Sequence, residues 1–263
     1  MVINMNILIT GAASGIGYDT GIKLLKKGYN VFLGVETDKQ LEVLREKLGD
    51  KSHIGTLKLD IKNEDDIKKI KDMDIDILIS NAAVGLGGSI LEADMDKVRA
   101  LYETNVFSNF ELIKIVLNNM LDKNKGKVII ISSMIANIPL PFLGIYASSK
   151  ASVSMLGSCL KKEIKLINKN VEITIVEPGI YKTGFNKVML DNKYDNLNSR
   201  FKDLTESMQK FENDLLEFAS KKSTNSISNK IVSVVEKQNT KTIYRAPLIQ
   251  NILLKFYIKF IKK

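Results

Sequence analysis

The sequence holds one cysteine, Cys159, and one histidine, His53. A single thiol excludes an intramolecular disulfide and suits a reducing compartment, so the cytoplasm is the expected location. A metal centre built from histidine and cysteine lacks its ligands. A Ser-His-Asp or Cys-His hydrolase would need His53 as its base, and nothing around His53 supports that role. It reads instead as a loop or strand-edge residue before the third strand. No apolar stretch reaches the ~18–20 residues that a bilayer-spanning helix needs. Residues 1–10 lack the basic start and cleavage site of a signal peptide and run straight into a glycine motif. The net charge of +9 is spread along the chain, with no Arg-rich or aromatic-interleaved run, so nucleic acid is not an expected partner.

What is present is an alternation. Short runs rich in Ile, Leu and Val at 5–10, 30–35, 55–59, 75–80, 127–132 and 172–176 read as strands buried on both faces, with a seventh at 242–245. Helical periodicity fills the gaps at 18–27, 39–48, 64–71, 96–121 and 149–167. Strand–helix alternation implies right-handed crossovers. The expected fold is therefore α/β: a single doubly wound Rossmann-type domain over 1–263, with about seven parallel strands flanked by helices on both faces. Residues 185–225 are polar and helix-prone, and are read as a substrate-side insertion.

Three segments carry chemistry. Thr10-Gly11-Ala12-Ala13-Ser14-Gly15-Ile16-Gly17 joins the first strand to a helix. Its glycines allow a tight turn and close approach of backbone to phosphate, and the helix start offers free N–H groups. Asp60, at the end of the third strand, is placed to accept from an adenine amino group, and Asn81-Ala82-Ala83 follows the fourth strand with small residues beside a nucleotide path. Glu36, at the end of the second strand, can accept from a ribose 2′-hydroxyl and would repel a 2′-phosphate, which favours NAD(H) over NADP(H). Tyr146 and Lys150 stand four residues apart at a helix start and share a face. A nearby ammonium and a positive nicotinamide would lower the tyrosine pKa from ~10 and make it a usable general acid/base. Ser133 can hold a substrate oxygen beside Tyr146, and Asn105 a water for proton exchange through Lys150.

In this order, ending with Glu177-Pro178-Gly179, the motifs resemble those of the short-chain dehydrogenases/reductases. The resemblance is dense over about residues 5–183. It implies a catalytic tetrad at Asn105, Ser133, Tyr146 and Lys150. It implies cofactor contacts at Gly11, Ser14, Gly15, Ile16, Gly17, Asp60, Ile61, Asn81, Ala82 and Ala83. Pro178, Gly179, Ile180 and Thr183 match the segment that meets the nicotinamide carboxamide. It also implies a small-molecule alcohol or carbonyl substrate, and a homodimer or homotetramer built through the helices at 96–121 and 149–167. A cofactor-binding regulatory protein without turnover is the alternative, against which the complete tetrad argues.

Two features depart from the family or lie outside its motifs. Ser80 and Ala83 replace the family's usual Asn and Gly, which predicts a modest adjustment of the loop and weaker cofactor binding. The segment 134–143 is unusually apolar, with Ile138, Leu140, Phe142 and Leu143, and suggests a lipophilic substrate. The tail 252–263 reads as a basic amphipathic helix with Lys255, Lys259 and Lys262 on one face. Peripheral membrane contact and packing on the domain or a second subunit both remain open for it.

Overall fold

A computed structural model describes residues 3–49, 54–185, 189, 200–201 and 220–260. His53, most of the segment 185–225 and the tail residues 261–263 lie outside the described residues. The strands are β1 (Ile3–Ile9), β2 (Tyr29–Val35), β3 (Ile54–Lys58), β4 (Ile77–Ser80), β5 (Gly126–Ile131), β6 (Val171–Pro178) and β7 (Ile243–Ala246). They form one sheet in the order β3-β2-β1-β4-β5-β6-β7, and every recorded pairing is parallel. All seven strands lie within a few residues of the expected positions.

The helices are α1 (Gly15–Lys26), α2 (Asp38–Leu48), α3 (Glu64–Lys71), α4 (Met95–Tyr102), α5 (Asn109–Asp122), α6 (Gly144–Ile167), α7 (Asn225–Glu236) and α8 (Leu248–Phe260). Successive strand residues point to opposite faces, so each strand feeds two cores. Ile7 and Ile9 pack with Leu24 of α1, Leu44 of α2 and Ile231 of α7. Leu8 packs on the other face with Leu112 and Val116 of α5 and Val153 of α6. Because both faces are covered, the ligand crevice is left at the carboxyl ends of the strands. It falls where the chain order reverses, between β1 and β4.

Two elements differ from expectation. The single helix expected at 96–121 is broken by a π-helical stretch, Glu103–Ser108, between α4 and α5. The wider turn is locked by Asn109, whose Nδ2 donates to Thr104 O at 2.8 Å. It also turns Asn105 and Asn109 toward the loop after β4. The second difference is α7, at which no element was expected. Its Ile and Val residues have strand propensity, but they bury Ile227, Ile231, Val232, Val234 and Val235, and tertiary packing decides the helix.

Two buried lysines fasten the far edge of the sheet. Lys161 Nζ donates to Ile173 O at 2.6 Å and Thr240 O at 2.8 Å. Lys127 Nζ donates to Val234 O and Val235 O, satisfying carbonyls at the end of α7. Burial pushes both ammonium pKa values down. The carbonyl contacts keep these positive groups bonded inside the fold, and that edge carries α8 to the crevice.

Candidate active site

The strand ends surround a cavity of about 830 Å³. One wall is the β1–α1 turn. Gly11 and Gly15 have φ of +63° and +59°, which side chains with a Cβ rarely adopt. A Cβ at Gly11 would lie 2.8 Å from the Ala82 Cα, so a larger residue would also push the two strand-end loops apart. The Ser14 side chain makes no capping bond to α1, and the first turn carries no acidic residue. Those N–H groups and the positive helix end fit a pyrophosphate. Gly11, Ser14, Gly15 and Ile16 line the cavity, whereas Gly17 does not. A Cβ at Gly17 would meet Asn81 Nδ2 and Gly11 O, each at 2.7 Å, so this glycine serves the packing of the turn.

Asn81 ties the loop after β4 to that turn. Its Nδ2 donates to Thr10 O and Gly11 O, each at 3.0 Å. Thr10 Oγ1 accepts in return from the N–H groups of Asn81 and Ala82. Ser80 keeps the loop fixed with a hydroxyl, donating to Asn109 Oδ1 at 2.7 Å. Asn109 then donates to Ala82 O. Asn81, Ala82 and Ala83 all line the cavity. In the sequence Thr10 reads only as the start of the glycine motif and Asn109 carries no signal, because their partners lie far along the chain.

Glu36, Asp60 and Ile61 line the outer end of the cavity. The Asp60 carboxylate accepts from Lys62 N at 3.0 Å, and its own N–H donates to buried Asp66. Glu36 is half exposed and stands 3.5 Å from Lys62 Nζ. Along the chain the basic residue nearest to Glu36 is Lys39. The fold instead brings Lys62 across from the β3–α3 loop, and Lys62 lines the cavity with Glu36 and Gln40.

Ser133, Tyr146 and Lys150 meet at the other end of the cavity. Ser133 leaves β5 and caps a short 3-10 turn, Met134–Asn137, accepting from Ile135 N at 3.3 Å. Tyr146 and Lys150 occupy successive turns of α6, and the ammonium lies 6.0 Å from the ring centroid of the tyrosine. Both are buried. Burial pushes the Tyr146 phenol up, opposed by a hydrogen bond with Ser133. Desolvation, and not the lowering expected from Lys150, sets the phenol in the protein alone, and it stays protonated at neutral pH. Burial also pushes Lys150 down to about 8. Its Nζ donates to Ile131 O at 3.2 Å.

Asn105 is buried on the π-helical stretch and is not part of the cavity wall. Its Oδ1 accepts from Val84 N at 2.8 Å, and its Nδ2 donates to Val84 O and Ser149 Oγ. In this arrangement it clamps the β4 loop to α6.

Beneath the cluster runs a buried polar chain. Ser132 Oγ donates to Lys150 O, Ser154 Oγ lies 2.8 Å from both Ser132 Oγ and Glu177 Oε1, and Arg245 Nε donates to Glu177 Oε2 at 2.6 Å. It braces β5, α6 and β6 against one another.

Pro178, Gly179, Ile180 and Thr183 line the cavity beyond β6. Here α8 enters the site. Gln250 Oε1 accepts from Ile180 N at 2.8 Å, and Gln250, Leu253, Leu254 and Tyr257 belong to the wall. Periodicity marked the tail as a helix but carried no sign that it meets the segment after β6. The rest of the wall is apolar, with Ile135, Ile138, Leu140 and Leu143 from the segment expected there. Phe142 from the same segment is not in the wall. It has φ +60°, and its ring meets that of Phe201 edge-on at 5.2 Å. Phe185 lies 5.6 Å from the Tyr146 ring. Among the described residues no group of His, Cys, Asp and Glu is placed to hold a metal.

A family model for the short chain dehydrogenases matches residues 5–193. A NADP-dependent 3-hydroxy acid dehydrogenase from Schizosaccharomyces pombe is 30% identical over 72% of this chain and 79% of its own length. A 3-ketodihydrosphingosine reductase from Bacteroides thetaiotaomicron is 31% identical over 68% of this chain and 65% of its own. Against two longer curated relatives the chain spans 61% and 57% of their length. A short-chain dehydrogenase/reductase from Burkholderia phymatum, solved with NAD, shares the fold at a TM-score of 0.81 and 17% identity, over 98% of this chain and 94% of that one. The chain belongs to the short-chain dehydrogenase/reductase family of oxidoreductases.

Proposed function

We propose that the protein interconverts an alcohol and a ketone or aldehyde, using a nicotinamide cofactor bound along the cavity. The observation that carries this reading is the placing of Ser133, Tyr146 and Lys150 in the same cavity as the glycine turn. The bound nicotinamide would supply or accept the hydride. Gly11, Ser14, Gly15 and Ile16 hold the pyrophosphate, with Gly17 closing the turn behind them. Asp60 and Ile61 flank the adenine, while Asn81, Ala82 and Ala83 border the cofactor path. Pro178, Gly179, Ile180 and Thr183 border the carboxamide, where the Ile180 N–H now bonded to Gln250 is the natural donor.

Ser133 donates to the substrate oxygen and orients it. Tyr146 gives its proton to that oxygen in reduction and takes it back in oxidation. The family's positive charge at the nicotinamide, added to Lys150, offsets the burial that holds the phenol protonated. Lys150 also donates to the nicotinamide ribose. Asn105 acts behind Lys150, in the family's role of holding a water for proton exchange, and its present bonds fix the helix that carries it.

The finer assignments follow from the walls. Ile135, Ile138, Leu140, Leu143 and Leu253 favour a lipophilic substrate, and the relative named as a 3-ketodihydrosphingosine reductase supports that class. Glu36 favours NAD(H). Lys62 beside it partly neutralises the carboxylate, so the discrimination against a 2′-phosphate is modest. The family's oligomerisation helices expose Phe107, Met155 and Leu156 here, which supports a dimer or tetramer through that face.

Four outcomes test these assignments. Tyr146→Phe should lower kcat by about 10²–10⁴-fold while leaving the Kd for cofactor within about twofold; undiminished turnover overturns the mechanism. Titration followed by nicotinamide fluorescence should give a lower Kd for NADH than for NADPH, and Glu36→Gln should narrow the gap. Carbonyl reduction should fall as pH rises through about 8, because protonated Lys150 is lost there. Lys150→Arg, which does not titrate in this range, should remove that limb from whatever activity it retains. Light scattering should give a molar mass at least twice the 29.5 kDa of the chain, reduced by Phe107→Glu with Met155→Glu.

A further inference from the structure

The outer face of α8 is apolar and open. Leu248 is 71% exposed, Ile249 63%, Ile252 54%, Leu253 64% and Phe256 57%. At 3.6 residues per turn these five fall on one stripe. The opposite side of the helix buries Leu254 and carries Gln250 and Tyr257 into the cavity wall. Leu253 belongs to both faces, lining the cavity while remaining exposed, so it stands at the rim. Across the loops, exposed Ile90 and Leu91 form a second apolar group. The Ile90 Cδ1 lies against Gly144, the neighbour of cavity-lining Leu143.

The charge carried by this segment has one sign. Residues 248–263 hold Lys255, Lys259, Lys262 and Lys263 and no Asp or Glu. Lys255 and Lys259 follow one edge of the stripe. Antiparallel pairing of this face with its copy would set the two lysine edges side by side. An anionic surface would neutralise them while the stripe leaves water. No described helix is long and apolar enough to cross a membrane, so the geometry suits a helix lying in the interface.

We propose that α8 docks the protein on an anionic lipid bilayer, with the apolar stripe in the headgroup boundary and the lysines at the phosphates. Docked this way, the cavity rim at Leu253 faces the surface from which a lipophilic substrate would enter. The substrate route rests on the proposed function. The docking itself does not, and it is read without turnover.

The test is co-sedimentation of the full-length chain with phosphatidylcholine vesicles and with vesicles containing phosphatidylglycerol. The protein should pellet with the anionic vesicles. Binding should fall about fivefold with Lys255→Gln and further with added salt. Ile249→Glu with Ile252→Glu, both outside the cavity wall, should abolish pelleting with no loss of NADH binding. Retained NADH binding reports an intact fold, and the wild-type salt dependence needs no variant at all. Absence of wild-type pelleting, or equal pelleting on neutral vesicles, overturns the proposal. So does a double variant that pellets normally. Conversion of a lipid-free dimer to monomer by that variant, without vesicle binding by the wild type, would assign the stripe to a second copy of this chain instead.

Discussion

The contact on which the site depends is the bond set between Thr10 and Asn81, at the place where neighbouring strands lead the chain in opposite directions. Parallel strands β1 and β4 end side by side, and their following loops must diverge to leave a crevice. Asn81 donates two bonds to backbone carbonyls of the glycine turn, and Thr10 accepts two from the backbone of the other loop. These groups are at least partly buried, so leaving them unpaired would be costly. The bonds bring Gly11 so close to Ala82 that a Cβ does not fit. The same loop continues to Val84, which Asn105 clamps, and Asn105 reaches Ser149 beside Lys150. A bonded line therefore runs from the glycine turn to α6 beside Lys150.

Charge at the other end of the cavity is controlled by desolvation. The fold buries Tyr146 and Lys150 together, and each is driven toward its neutral form. The lysine, near 8, remains mostly charged at neutral pH, while the phenol keeps its proton. Such a pair is poised: a positive charge added beside it would shift the phenol toward ionisation. The chain Ser132–Ser154–Glu177–Arg245 holds the elements that carry this pair, with both Glu177 oxygens engaged. For the proposed proton transfer such rigidity matters, because that step depends on hydrogen-bond distance.

Helix α8 joins the segment after β6 to the apolar wall of the cavity. Through Gln250 it bonds the segment after β6, and through Leu253, Leu254 and Tyr257 it completes an apolar wall. Its position depends on β7, which the buried amines of Lys127 and Lys161 help hold to the sheet.

Local pattern was enough to read the strand–helix alternation, because burial on both faces of a strand or along one face of a helix leaves a period in the sequence. It was enough for the glycine turn, whose positive φ demands residues without a Cβ, and for Tyr146 and Lys150, whose spacing is one helical turn. It did not mark α7, where Ile and Val suit a strand and only packing against α1 and the sheet selects a helix. Nor did it bring Lys62 to Glu36, Gln250 to Ile180 or Asn109 to Ser80. Those partners are far apart along the chain, and contact between them leaves no period to read. The ionisation of Tyr146 belongs to the same class. The neighbouring lysine is visible in the sequence, but the burial that raises the phenol exists only once the sheet, α6 and the walls of the cavity have closed around the ring.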